Sequence, residues 1–228
     1  MRLVKNVNCK ECALKCDIYL TAREMDIEDE LKPQYFIYKK HEIICSKKDK
    51  VKNAVVIVDG NAKMFVDGIN NKNIILNILV HSNYIGLTAV MGSEDYIYNV
   101  AAINDCTTCN IDIELVKKMY INNPIFLNKL NKAFVDSVSI IMDKFVSLNQ
   151  KQIRGKVAES LLYLSQLNDS KNYIIKISRK DLGELSSISE ENTVRVLTEF
   201  KNEDIIVING KDIELKDIEL LQRISIFG

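Results

Sequence analysis

The chain has 228 residues, 47% hydrophobic and 27% charged, enough to bury one large core or two small ones and too apolar for a disordered polymer. Its 31 basic and 31 acidic side chains balance, so net charge neither marks a nucleic-acid binder nor excludes one whose basic groups are gathered on one face. No apolar run approaches the ~20 residues of a bilayer span, and MRLVKNVNCKEC lacks the apolar core of a secretory signal, which predicts a cytoplasmic protein with no membrane partner.

In a reducing compartment the six cysteines point to metal or redox chemistry rather than structural disulfides. Cys9, Cys12 and Cys16 form C-x2-C-x3-C, a spacing that lets several thiolates converge on one centre if a further ligand is supplied. Cys45, in an apolar run, reads as a small buried hydrophobe.

From about Gln34 to Asp112 the sequence is written in strands. QYFIYKK, HEIICS, NAVVIVDGNAKMFVDG, KNIILNILV, YIYNVAAIN and CTTCNIDI follow at short intervals, which predicts an antiparallel sandwich or small barrel. Asp59-Gly60 suits the positive-φ positions of a tight hairpin between two apolar runs, and Asp67-Gly68 is a second turn signal.

A helix follows from near Pro124 to about Leu148. Leu127, Leu130, Phe134, Val138, Ile141, Phe145 and Leu148 recur every three or four residues, while Lys129, Lys132, Asp136 and Asp143 occupy the other side. This single narrow seam predicts a homodimer built on a pair of such helices.

From Lys151 the pattern changes. QIRGKVAESLLYLSQL is an amphipathic helix, YIIKI a short strand, and two short helices follow, the first capped by Ser178 with Asp181 three residues on, the second by Ser189. DIIVINGKDIEL then alternates like a hairpin around Asn209-Gly210. Two helices joined by a tight turn and followed by a hairpin make a winged helix-turn-helix. The expected parts are 1–120, 121–149 and 150–228.

SRKDLGEL, SEENTVRVL, Ile205-Ile206, Gly210-Lys211 and GKVA (155–158) resemble the CRP/FNR family of bacterial transcription regulators, and the resemblance runs over nearly the whole chain. It implies an α+β fold with an N-terminal antiparallel β-roll of the cyclic-nucleotide-binding type (a double-stranded β-helix), a long dimerisation helix and the winged helix-turn-helix. It also implies duplex DNA with a palindromic operator and RNA polymerase as partners.

Independently of the family, Glu191 and Arg195 stand four apart on one face of the second helix, near the end that meets base edges in a major groove. Arginine can pair with guanine O6 and N7, and a carboxylate can accept from cytosine N4. The plain alternative is a surface ion pair of about 0.3–0.5 kcal/mol. Ser189, Glu190 and Asn192 share that helix start, while Arg179, Lys180 and Lys211 can neutralise phosphates.

Relatives that answer to cyclic AMP use a Gly-Glu turn and a nearby arginine. Here Leu87 follows Gly86, and no Lys or Arg occurs between Asn73 and Val116, so the resemblance argues against cyclic AMP. The oxygen-sensing branch has three N-terminal cysteines and a fourth before the segment matched here by IDIELVKKM; that position corresponds to Cys109, with Cys106 as the alternative. An iron-sulfur cluster on Cys9, Cys12, Cys16 and Cys109 is the leading expectation. Zinc, thiol redox sensing and haem with His41 or His81 stand as alternatives. With two histidines and no phosphate loop, a metalloenzyme lacks support, and a scaffold that keeps the fold for protein contacts is the other rival.

Overall fold

The structure, a computed structural model, describes residues 2–4, 8–69, 72–168 and 172–228. They form two compact units, 1–65 with 77–139 and 66–76 with 140–228. Among them no helix is long and apolar enough to cross a membrane.

The first unit is built on two antiparallel sheets. The strands are β1 (Arg2–Val4), β2 (Gln34–Tyr38), β3 (Ile43–Cys45), β4 (Asn53–Asp59), β5 (Ala62–Val66), β6 (Ile74–Leu79), β7 (Tyr84–Ile85), β8 (Asn99–Ala102) and β9 (Cys106–Asp112). They run in the orders β1-β2-β9-β4-β7 and β3-β8-β5-β6. Val56, Ile57, Ile78, Ile85, Val100 and Ile111 fill the core, consistent with apolar, β-branched strands that sit against one another on both faces.

The Asp59-Gly60 hairpin is corrected. β4 and β5 belong to different sheets, so the turn carries the chain across the core instead of closing a ladder. Gly60 has φ +79, and a Cβ there would stand 2.2 Å from the Asp105 carbonyl oxygen. A sheet-to-sheet corner and a tight hairpin demand the same backbone conformation, and the residue pattern does not separate them.

Two helices of this unit, α1 (Asp17–Glu24) and α2 (Ile113–Asn122), carry no sequence expectation. Asp112 caps α2 by accepting from the amides of Glu114 (2.8 Å) and Leu115 (3.4 Å). The long helix α3 runs Pro124–Gln150. Its first half is docked on its own unit: Lys129 pairs with Asp17 at 2.8 Å and the Tyr120 hydroxyl donates to Asn131 at 2.8 Å.

Docking corrects part of the expected dimer seam. Leu130, with Phe126, is fully buried in its own chain and has no surface left for a partner. Leu127 and Ile141 are half-buried, while Phe134, Val138 and Phe145 are exposed together with Val135, Met142 and Val146, which the seam omitted. At 3.6 residues per turn a straight helix drifts relative to a seven-residue repeat, so one apolar stripe read from sequence merges an inner face at its start with an outer face farther on.

The second unit contains α4 (Ile153–Gln166), α5 (Arg179–Ser186), α6 (Glu190–Asn202), the wing β10 (Ile206–Asn209) and β11 (Asp212–Leu215), and α7 (Ile218–Phe227). YIIKI is not a strand. It makes one bridge, Tyr173 to Glu214, and otherwise runs as irregular chain with Ile174, Ile175 and Ile177 buried. α7, also unexpected, lies so close to the start of α4 that a Cβ on Gly155 would come within 2.4 Å of the Gly228 carbonyl oxygen.

Candidate functional site

Local chemistry sets the angle between α5 and α6. The Ser178 hydroxyl accepts from the Asp181 amide (3.0 Å) and donates to the Asp181 carboxylate (2.6 Å), closing the first turn of α5. Ser187 takes a left-handed conformation (φ 53) at the end of that helix, and the Ser189 hydroxyl caps α6 by accepting from the Asn192 amide (3.2 Å). Gly183 lets the helices cross closely, since a Cβ there would meet the Thr193 hydroxyl at 2.9 Å.

α6 buries Thr193, Val196, Leu197 and Phe200 and leaves Glu190, Glu191, Val194, Arg195 and Thr198 in solvent. Arg195 turns toward Asn192 (3.4 Å) and Glu199 (3.9 Å), not toward Glu191, the partner of the plain ion-pair alternative. Both contacts are long, so the guanidinium is held loosely enough to be redirected. Of the remaining expected contacts, Ser189 and Asn192 are half-buried and engaged in the cap, while Glu190 is exposed. Arg179 donates to the Gly210 carbonyl (3.4 Å), which places it beside Lys211 at the wing turn. Lys180 is exposed, 3.9 Å from Glu184.

The cysteines form a second site. Cys9, Cys12, Cys16 and Cys109 line one pocket with Leu14, Lys15, Tyr19, Tyr35, Val56 and Val58. Cys109 lies in register with Tyr35 on one side and Val56 on the other, at the middle of its sheet. Its three companions sit on a segment wound by turns: the Asn8 carbonyl accepts from the amides of Glu11 (3.0 Å) and Cys12 (3.1 Å), and Cys16 leads into α1. Lys15 (φ 44) donates to the Cys9 carbonyl (3.4 Å), with its ammonium 5.1 Å from the centre of the Tyr19 ring. Cys106 is absent from this pocket, because three residues along a strand reverse the face.

Burial, then the neighbouring thiols Cys16 and Cys12, pushes Cys9 up to about 11, partly offset by Lys15. Burial also raises Cys16, offset by amides at the start of α1. Cys109 is raised by burial and by Cys9 and Cys16. In kind, four sulfur donors fit a soft-metal or iron-sulfur centre. In spacing, no three such ligands among the described residues stand close enough to hold one ion. That counts against zinc, which needs every sulfur about 2.3 Å from one point, more than against a cluster, where each cysteine takes its own iron. The pocket that these ten residues line has a volume of about 10 Å³, so the segment lies closed against Cys109.

Elsewhere in the β-rich unit Gly86 (φ +87) opens a short 3-10 turn, Leu87–Ala89, and its amide donates to the Tyr98 hydroxyl (3.2 Å). That amide is therefore already engaged. His41 and His81 are both exposed in turns, which gives haem no buried ligand from either.

Residues 36–123 match the cyclic nucleotide-binding domain and residues 155–224 the Crp-like helix-turn-helix domain. The chain belongs to the CRP/FNR family of transcription regulators. Among similar CRP/FNR proteins is the transcriptional activator protein Anr of Pseudomonas protegens, 21% identical over 225 residues, covering 95% of this chain and 92% of the relative. Another is the cAMP-activated global transcriptional regulator CRP of Salmonella typhimurium, 24% identical over 171 residues, covering 72% and 81%. The fold is like that of FixK2 from Bradyrhizobium japonicum, with TM-score 0.79 and 18% identity over 86% of this chain and 98% of that one. Both relatives are transcription regulators by name.

Several residues that shape this CRP/FNR site carry no local signal in the sequence. Arg154 holds the C-terminal part of α6 through Glu199 and Glu203, and Lys144 of α3 donates to the Leu185 carbonyl near the end of α5. No local spacing announces contacts made across 41 to 49 residues. Tyr35 was legible only as a strand residue.

Proposed function

We propose that the chain is a homodimeric, sequence-specific DNA-binding regulator of the CRP/FNR family, in which a redox or gas signal at the cysteine site sets the placement of two recognition helices. The observation that carries the sensing half is the convergence of Cys9, Cys12 and Cys16 with Cys109 on one pocket. These four residues would hold an iron-sulfur cluster, which would supply sensitivity to oxygen or to nitric oxide. Lys15 offers an ammonium to the negative charge of thiolates, and the Asp17–Lys129 pair joins the segment after Cys16 to α3. Cyclic AMP is not the signal in this reading, since Asn73 to Val116 carries no cation for its phosphate.

On the DNA side, Arg195 reads a guanine and Glu191 its neighbourhood in each half of a palindrome. Ser189, Glu190 and Asn192 frame the start of that helix, and Arg179, Lys180 and Lys211 neutralise phosphates. Residues 1–120 serve as the sensor, 121–149 as the dimer helix and 150–228 as the DNA-binding part. The protein works in the cytoplasm with RNA polymerase as its partner.

Purification without oxygen, followed by an absorption spectrum and assays of iron and sulfide, tests the sensor. The expected result is a coloured protein that bleaches in air and loses iron and sulfide in Cys109→Ser but not in Cys45→Ser. A colourless, metal-free protein overturns the cluster. On DNA, Arg195→Ala is expected to weaken one base pair per half-site by about 1–3 kcal/mol. Equal weakening on every sequence overturns that role.

A further inference from the structure

We propose that Val194 reads the 5-methyl group of a thymine, one per half-site, on the DNA face that Glu191 and Arg195 address. The inference rests on α6 being the base-contacting helix. Val194 lies three residues after Glu191 and just before Arg195, is 46% exposed, and stands on the side of α6 away from the buried Thr193, Val196, Leu197 and Phe200.

Helix stability does not account for this side chain. A β-branched residue loses rotamer freedom in a helix, and on a solvent face no packing repays that loss. Its neighbour one turn on, Thr198, donates its hydroxyl to the Val194 carbonyl at 2.9 Å, so its polar atom is engaged by the helix backbone. The result is a small apolar spot on the same exposed side of α6, flanking the Glu191 carboxylate and the Arg195 guanidinium. In a major groove, guanine and cytosine edges offer hydrogen-bonding groups to such charges, and thymine alone presents a methyl group. Burying that methyl against valine is the apolar counterpart of the two polar contacts, and a contact of about one methylene's worth changes affinity about three- to fivefold.

The test uses the full-length chain. Its preferred site is selected from random duplexes, in air and without oxygen, and each thymine of that site is then replaced singly by deoxyuridine, which removes only the methyl. The expected result is one thymine per half-site whose replacement weakens wild-type binding about three- to fivefold, with no such loss for Val194→Ala. Circular dichroism checks that this variant keeps its helix content. Uniform tolerance of deoxyuridine, or the same sensitivity in Val194→Ala, overturns the inference. If a palindrome is selected and its guanine depends on Arg195, such a failure belongs to Val194 alone. If no site is selected in either condition, or Arg195→Ala selects the same site as wild type, the reading of α6 fails and the inference with it.

Discussion

Arg154, in the first turn of α4, grips Glu203, the residue that closes α6, through two nitrogens at 2.9 and 2.7 Å. The same guanidinium reaches Glu199 at 2.9 Å and lies 5.0 Å from the centre of the Phe200 ring. α6 is thus held at its C-terminal end through Glu203, and Glu199 stands between this arginine and Arg195, which lies 3.9 Å from it.

Arg154→Ala is expected to destabilise the protein by about 0.5–1 kcal/mol, since the pair is partly solvent-screened, and to weaken binding to all DNA sequences alike. The arginine beside Glu203 holds that carboxyl below its usual value of 4.5. A depressed carboxylate contributes stability above its unfolded value and loses it as pH falls through the folded one. Urea unfolding of wild type and Arg154→Ala from about pH 6 to about pH 3 should therefore give curves that converge at the acid end.

The exposed residues of α3 make a different prediction from the buried one. Met142→Glu and Phe145→Asp are expected to give monomers by light scattering with little change in melting temperature. Leu130→Ala should keep the dimer and lower stability by about 2–5 kcal/mol, because it opens a cavity inside its own chain.

Lys144 provides a pH signature. Burial pushes it down to about 8 from 10.5, with Glu159 opposing the shift. The unfolded chain binds more protons than the folded one between those values, so this group makes the fold more stable as pH rises through the interval. Relative to Lys144→Met, the wild type should gain stability from about pH 8 to about pH 10 in parallel urea titrations.

Gly60→Ala forces a side chain into positive φ and against the Asp105 carbonyl. A loss of about 2 kcal/mol or more is expected, read as faster hydrogen exchange in β4 and β9 and unchanged exchange in α5 and α6.

What the sequence disclosed depended on how locally each feature is determined. Ser178, Ser189 and the Asn209-Gly210 turn act within four residues, and the structure forms both caps and the wing where that chemistry places them. Sheet membership is a long-range property, so Asp59-Gly60 was misread as a ladder hairpin. Leu130 was misassigned because what covers a helix face is decided by other parts of the chain, here the unit that holds Asp17 and Tyr120. YIIKI has the composition of a strand yet lacks a partner along its length, and tertiary burial overrides propensity there.

The four cysteines are not mechanical equals. β9 is laced to β2 and β4 along both edges, so Cys109 is fixed by the sheet, while the other three sit on a segment secured by turns and by Lys15. The rungs of β9 are made with β2 and β4 and none with residues 9 to 16, so side chains of that segment can be rewritten, and sensitivity adjusted, while the pairing beneath Cys109 stays the same.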